Sequence, residues 1–159
     1  MSANKMVCPL NRHVLISVDG SENSDRAVAY MVCMLSGVSG VQVTLLHIIS
    51  IPPEDYFTTP EDEKNWMALH ERSAEAAINR HTEQFVDGGI ALPAIVPVIR
   101  KGRFQSIAET ILDELRKSGA GTLVVGRRGI SKKEEFLYGS TSSKLLHAQK
   151  NSAAMWVVE

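Results

Sequence analysis

The residues of this chain best suited to chemistry on a ligand are glycines and hydroxyls near its C-terminal end. Leu123, Val124 and Val125 form a short apolar run that stops at Gly126. Gly129 follows, and after a basic excursion comes Gly139-Ser140-Thr141-Ser142-Ser143. The residues after Ser140 repeat apolar positions at helical spacing, beginning with Leu145 and Leu146. Such a strand, glycine loop and hydroxyl-rich helix start suits a phosphate group. Glycine lets a backbone come close to an anion and take positive φ without a Cβ penalty. The first amides of a helix lack intrahelical partners and carry the positive end of its dipole. Ser140, Thr141 and Ser142 add hydroxyl donors, and Arg127, Arg128, Lys132 and Lys133 add positive charge. Glu134 and Glu135 offset part of that charge.

The spacing G-x2-G-x9-G-[ST] recurs by chance in roughly one chain per hundred or two of this length. Its value comes from context, after a β-type run and before a helix. The competing reading is a glycine turn followed by an ordinary capped helix.

A second candidate is Asp19, in Val18-Asp19-Gly20. Its carboxylate could accept from an adenine amino group or a ribose hydroxyl. Asp-Gly is also a turn-forming pair in its own right.

The elements that must position these residues alternate between β and α. His13 to Val18 reads as a first strand, and Ser21 or Ser24 caps a helix bearing Ala27, Val28, Met31, Met34 and Leu35. Val41 to Ile49 is a nearly continuous apolar strand, as expected where both faces are covered. Residues 50–63 carry three prolines and acidic residues, and read as a long loop or lid. A helix over about 64–87 places Trp66, Leu69, Ser73, Ala77, Ile78 and Phe85 near one side. Ala94 to Arg100 is a third strand, and a helix over about 104–118 shows Ile107, Ala108, Ile111, Leu112 and Leu115 on one face. A fourth strand leads into Gly126, and Ala154 to Val158 is a last short one. This alternation implies an α/β fold, a parallel sheet with helices on both faces.

The glycine motif, VLISVDGSENSDRAVAY at 14–30 and LLHI at 45–48 together resemble the universal stress protein family, in the branch that binds ATP. The resemblance runs from His13 to Val158. It implies a five-stranded parallel sheet of order 3-2-1-4-5, Rossmann-like, which makes strands 1 and 4 neighbours with crossovers to opposite faces. Ligands of such sheets sit outside the carboxyl ends of the strands at that switch point. The resemblance further implies that Ser17, Val18 and Asp19 line a base pocket and that Val43 touches the base through its backbone. Val125, Gly126, Arg128 and Gly129 would hold ribose and phosphates, and Gly139, Ser140, Thr141 and Ser142 would cup the phosphates. The chain departs from the family at Gly121, where an acid is usual, and at Ser152-Ala153-Ala154, where a proline is usual before the last strand.

Composition bounds the rest. The chain has 159 residues, 44% of them hydrophobic, with a net charge of −1 and no long block of one sign. One domain over 1–159 is expected, with residues 1–11 a loose leader. The charge balance argues against bulk binding to nucleic acid or anionic membranes, and no apolar run reaches the length of a membrane span. Cys8 and Cys33 have neither zinc nor redox spacing, and Cys33 among Met31, Val32, Met34 and Leu35 reads as a small core residue. A cytoplasmic setting follows as the expectation. His47 reads as a packed strand histidine, while His70 and His81 lie too far apart on one helix for one metal. There is no Walker lysine and no nucleophile elbow.

The functional expectation is a nucleotide-binding module of the stress response, with ATP as ligand, ADP or AMP as variants, and Mg2+ accompanying a polyphosphate. It acts by binding rather than turnover, as a homodimer paired through the apolar edge strand 154–158. The alternatives are a slow ATPase or phosphotransferase in the same pocket, and a dimeric interaction protein that binds no nucleotide.

Overall fold

The computed structural model describes residues 11–127, 144–145 and 153–159. The five strands β1 (His13–Val18), β2 (Gln42–Ser50), β3 (Ile95–Gly102), β4 (Thr122–Gly126) and β5 (Ala154–Val158) form one sheet. Their order is β3-β2-β1-β4-β5 and every pairing is parallel, as the resemblance implies. Between them run α1 (Glu22–Leu35), α2 (Pro60–Asp87) and α3 (Ile107–Ser118).

Alternate strand residues feed two separate cores, because successive side chains point to opposite faces. Val14, Ile16, Val18, Val43, Leu45 and Val124 pack on one face with Ala27, Val28 and Met31 of α1 and Ile78 and Phe85 of α2. Leu15, Leu46, Leu123 and Val125 pack on the other with Ala108, Ile111, Leu112 and Leu115 of α3. Leu145, which is helical, is fully buried in that second core. The crossover from β1 and the crossover into β4 therefore lie on opposite faces, and the switch point falls between these two central strands.

Several boundaries differ from the sequence reading for identifiable reasons. α2 begins at Pro60, so the loop after β2 is shorter than residues 50–63 suggest and contains a 3-10 turn, Glu54–Tyr56. Thr59 caps α2: its hydroxyl accepts from the Asp62 amide, and the Asp62 carboxylate accepts from the Thr59 amide. Pro60 is tolerated at the first helical position and the acidic residues complement the dipole. The same residues had suggested irregularity. The buried face of α2 is Ala74, Ala77, Ile78, His81 and Phe85, whereas Leu69 and Ser73 are exposed and Trp66 is half-buried. Cys33 is exposed rather than in the core, because α1 turns Ala27, Val28 and Met31 to the sheet and leaves Cys33 and Met34 outward.

Asn11, placed by the sequence in a loose leader, is instead a fixed point. Its amide nitrogen donates to Gly119 O at 2.7 Å, and its Oδ1 accepts from the amides of Gly121 at 2.8 Å and His13 at 3.1 Å. A Cβ on Gly121 would lie 2.8 Å from Asn11 Oδ1, so glycine is what lets Asn11 seat there. The other departure is equally local. The Ala154 amide donates to Gly121 O at 2.9 Å, a bond that proline could not make, and β5 then pairs with β4 from Thr122↔Ala154 to Gly126↔Val158.

Candidate functional site at the carboxyl edge of the central strands

At the carboxyl edge, β1 and β4 run side by side, with Ser17 level with Val125. Val18 and Val125 are buried, Ser17 and Gly126 half-buried, and Asp19 exposed. The chain leaves β1 through Gly20, whose φ of 77° is left-handed and suits glycine. It then enters α1 at Ser21. Asp19 Oδ1 accepts from the Ser21 amide at 3.0 Å and from the Ser21 hydroxyl at 2.5 Å. The Ser21 hydroxyl in turn accepts from the Ser24 amide at 3.3 Å, and Ser24 Oγ donates to Ser21 O at 2.9 Å. Asp19 thus has the turn-forming role open to any Asp-Gly pair, and it also presents a carboxylate at the sheet edge.

Gly126 faces this turn directly. A Cβ there would come within 2.6 Å of Asn23 O and 3.1 Å of Ser24 N, so the end of β4 rests on the first backbone of α1. The two features singled out at Asp19 and Gly126 therefore share one edge of the molecule. This closeness also gives Gly126 a packing reason of its own.

Val43 is not brought to this place. It pairs with Val14 at the amino end of β1 and is fully buried in the first core. The β2 residue level with Val18 is His47, and Ile48 follows it toward the carboxyl edge. Arg128, Gly129, Gly139, Ser140, Thr141 and Ser142 lie outside the described residues, as do Lys132 and Lys133. Arg127 is described: its amide donates to Val158 O at 2.7 Å, and its guanidinium pairs with Glu159. It is therefore engaged by the end of β5.

His47 is buried, and its Nδ1 has no hydrogen-bond partner among the described residues. Burial holds its pKa below the usual histidine range; Asp19 pulls the other way, and His81 adds to the depression. The sequence reading of a packed strand histidine fits its burial, but nothing in the LLHI run signals a second buried histidine, His81, opposite it. Trp66 stacks on His70 with ring centroids 3.6 Å apart and meets Phe57 edge-on at 5.9 Å. Tyr56 extends this aromatic group along the loop after β2. Among the described residues, no group of three or more His, Cys, Asp or Glu could hold a metal ion. No helix among them is long and apolar enough to cross a membrane.

Comparison with known proteins agrees with this architecture. Residues 11–155 match the model of the universal stress protein family. A universal stress protein of Mycolicibacterium smegmatis is 31% identical over 141 residues, covering 84% of this chain; the chain spans 44% of that relative's length. Among solved structures, a universal stress family protein from Burkholderia pseudomallei superposes with a TM-score of 0.73 at 14% identity, covering 96% of this chain and 98% of that one. A universal stress protein in complex with cAMP gives 0.67 at 17% identity, covering 94% and 98%. The universal stress protein from Archaeoglobus fulgidus in complex with dAMP gives 0.61 at 14% identity, covering 92% and 96%. With the matched family spanning nearly the whole of a sheet built in the order its residues imply, this chain belongs to the universal stress protein family.

Proposed function

We propose that this chain binds an adenine nucleotide, ATP before ADP or AMP, at the carboxyl edge of β1 and β4, and acts in the stress response by binding rather than turnover. The observation that carries the reading is the meeting of Asp19, the first turn of α1 and Gly126 at one edge. From there the chain continues into the segment that holds Gly129, Gly139 and Ser140. Ser17, Val18 and Asp19 are assigned to the base and ribose side. Val125, Gly126, Arg128 and Gly129 are assigned to ribose and phosphates, and Gly139, Ser140, Thr141 and Ser142 to the phosphates. Ile48, rather than Val43, is the β2 residue whose register suits a backbone contact with the base. Complexes of relatives with cAMP and dAMP support the adenine class. Mg2+ would enter with a polyphosphate, held mainly by its oxygens.

The setting we assign is cytoplasmic, and the assembly a homodimer paired through β5. That strand is a sheet edge with half-buried Met155 and Trp156 and exposed Val157, a surface that invites pairing if uncovered. The opposite edge strand, β3, carries Pro97, Arg100 and Lys101, residues that discourage it.

The test is to denature freshly purified protein and identify released nucleotide by chromatography and mass spectrometry, for the native chain and for Gly139→Leu. An adenine nucleotide retained by the first and lost by the folded second supports the reading. Absence of nucleotide from the native chain, with no thermal shift on adding ATP, overturns it.

A further inference from the structure

Behind the edge just described, α2 meets the first turn of α1 through a histidine. His81 is fully buried on α2. Its Nδ1 lies 3.0 Å from Gln84 Oε1. An amide oxygen only accepts, so that nitrogen carries a hydrogen. The other nitrogen, Nε2, has no hydrogen-bond partner among the described residues and stands 3.4 Å from Asp25 Oδ1. In a neutral ring, this nitrogen turns a lone pair toward a carboxylate. In the imidazolium it turns an N–H toward it. The two protonation states therefore have opposite interactions with α1.

We propose that His81 is a positioning residue that acts as a proton-operated latch, drawing the first turn of α1 onto α2 when protonated and releasing it when neutral. Asp25 is suited to be the catch. Its carboxylate is part-exposed and already 2.6 Å from Arg80 of α2, which orients it toward the seam. The other groups facing the seam decide where the proton goes. Ser24 is a neutral hydroxyl, Gln84 a neutral amide, and His47 of β2 the competing base, with Asp19 beyond it on β1. Burial lowers the pKa of His47 and so disfavours a proton there, and a second charge beside His81 would be repelled. His81 is thus the site where a proton gains a carboxylate partner.

The latch matters because of what the held turn supports. The Asp25 amide donates to Ser21 O at 3.0 Å, Ser21 fixes Asp19, and Asn23 with Ser24 forms the surface on which Gly126 rests. Tightening at Asp25 steadies both halves of the carboxyl edge. The proposal concerns α1 itself and holds whether or not a nucleotide binds.

Native-state hydrogen exchange on nucleotide-free protein tests it. The probe is the Asp25 amide, and the Thr110 amide is the internal reference because it bonds to its own cap, Ser106, in the same way. After correction for intrinsic exchange, protection of Asp25 relative to Thr110 should rise about fivefold from pH 8 to pH 5, the scale of a part-exposed ion pair. Asp25→Asn, at a part-exposed position, and His81→Gln should both abolish the rise, while His47→Gln should keep it. A flat native profile, or a rise that survives in Asp25→Asn, overturns the latch. Loss of the rise in His47→Gln alone would move the proton to His47 and overturn it equally.

Discussion

Gly126 sits so close to Asn23 that a single added carbon would come within 2.6 Å of its carbonyl oxygen. Glycine at the end of β4 is therefore required by the packing of strand against helix, before any ligand is considered. Gly126→Ala should destabilise the fold by about 1–3 kcal/mol, the usual cost of overpacking. Urea unfolding measures this; an unchanged midpoint would show that α1 yields freely. Gly126 is for that reason a poor position for testing nucleotide contacts, and Gly139 is the better choice.

Glu114 is buried on α3 and gripped by two of the Arg100 nitrogens, Nε at 2.7 Å and Nη2 at 3.0 Å, with Lys117 at 3.3 Å. The Arg100 hydrogen bonds hold its pKa below the usual carboxylate range, against the opposing effect of burial, with Lys117 helping. A depressed carboxylate stabilises above its unfolded pKa, and that stability is lost as pH falls through the folded one. Arg100→Met should lower stability at pH 7 by about 1–3 kcal/mol and flatten the acid limb below pH 4.5. A variant whose acid limb matches the native one would refute this assignment.

His13 and His47 titrate in the opposite sense. Burial is the main cause of a lowered pKa at both, opposed at His13 by a backbone hydrogen bond to Ser118. His13 Nε2 also meets Thr44 Oγ1 at 2.7 Å. Folded forms that bind fewer protons than unfolded ones lose stability as pH drops below the unfolded value near 6.5. The urea midpoint should therefore fall between pH 7.5 and pH 5. His47→Gln should shrink that fall, and equal slopes in the two proteins would exclude His47 as a contributor.

The capping box at Thr59 and Asp62 starts a helix of 28 residues. Thr59→Ala should cost about 1 kcal/mol. It should also speed amide exchange in the first turn of α2, leaving α3 untouched. Uniform change across the protein would mean that the cap does more than begin the helix.

If β5 pairs with a second copy, Val157→Lys should convert a dimer into a monomer with its fold retained. Light scattering after size exclusion gives the mass directly. A native chain that is monomeric, or a variant that stays dimeric, removes β5 as the interface.

The strands themselves were legible as apolar runs, with β1 stopping at Asp19-Gly20 and β4 at Gly126; their order, and with it the meeting of those two ends at one edge, followed from the family resemblance. The buried face of α3 was legible too, since Ile111, Leu112 and Leu115 follow helical spacing. Three things were hidden. Thr59-Pro60 followed by acids reads equally as loop or as helix start, and only the reciprocal capping bonds decide between them. Cys33 sits in a run that is apolar on every side, so periodicity could not tell its exposed face from the buried one. Val43 and Ile48 belong to one continuous apolar strand, and only the register with β1 shows which lies toward the ligand edge.

The three contacts of Asn11 join the entrance of β1, the exit of α3 and the start of β4 at the end of the sheet remote from Asp19. The consequence is a division of mechanical labour along the same two strands. Their floor is bolted by side-chain bonds to backbone, while their rim ends in a glycine turn and a glycine-flanked segment. Substitutions that retune the rim should therefore leave the floor undisturbed, which is the condition for one scaffold to accept many different ligand-binding sequences.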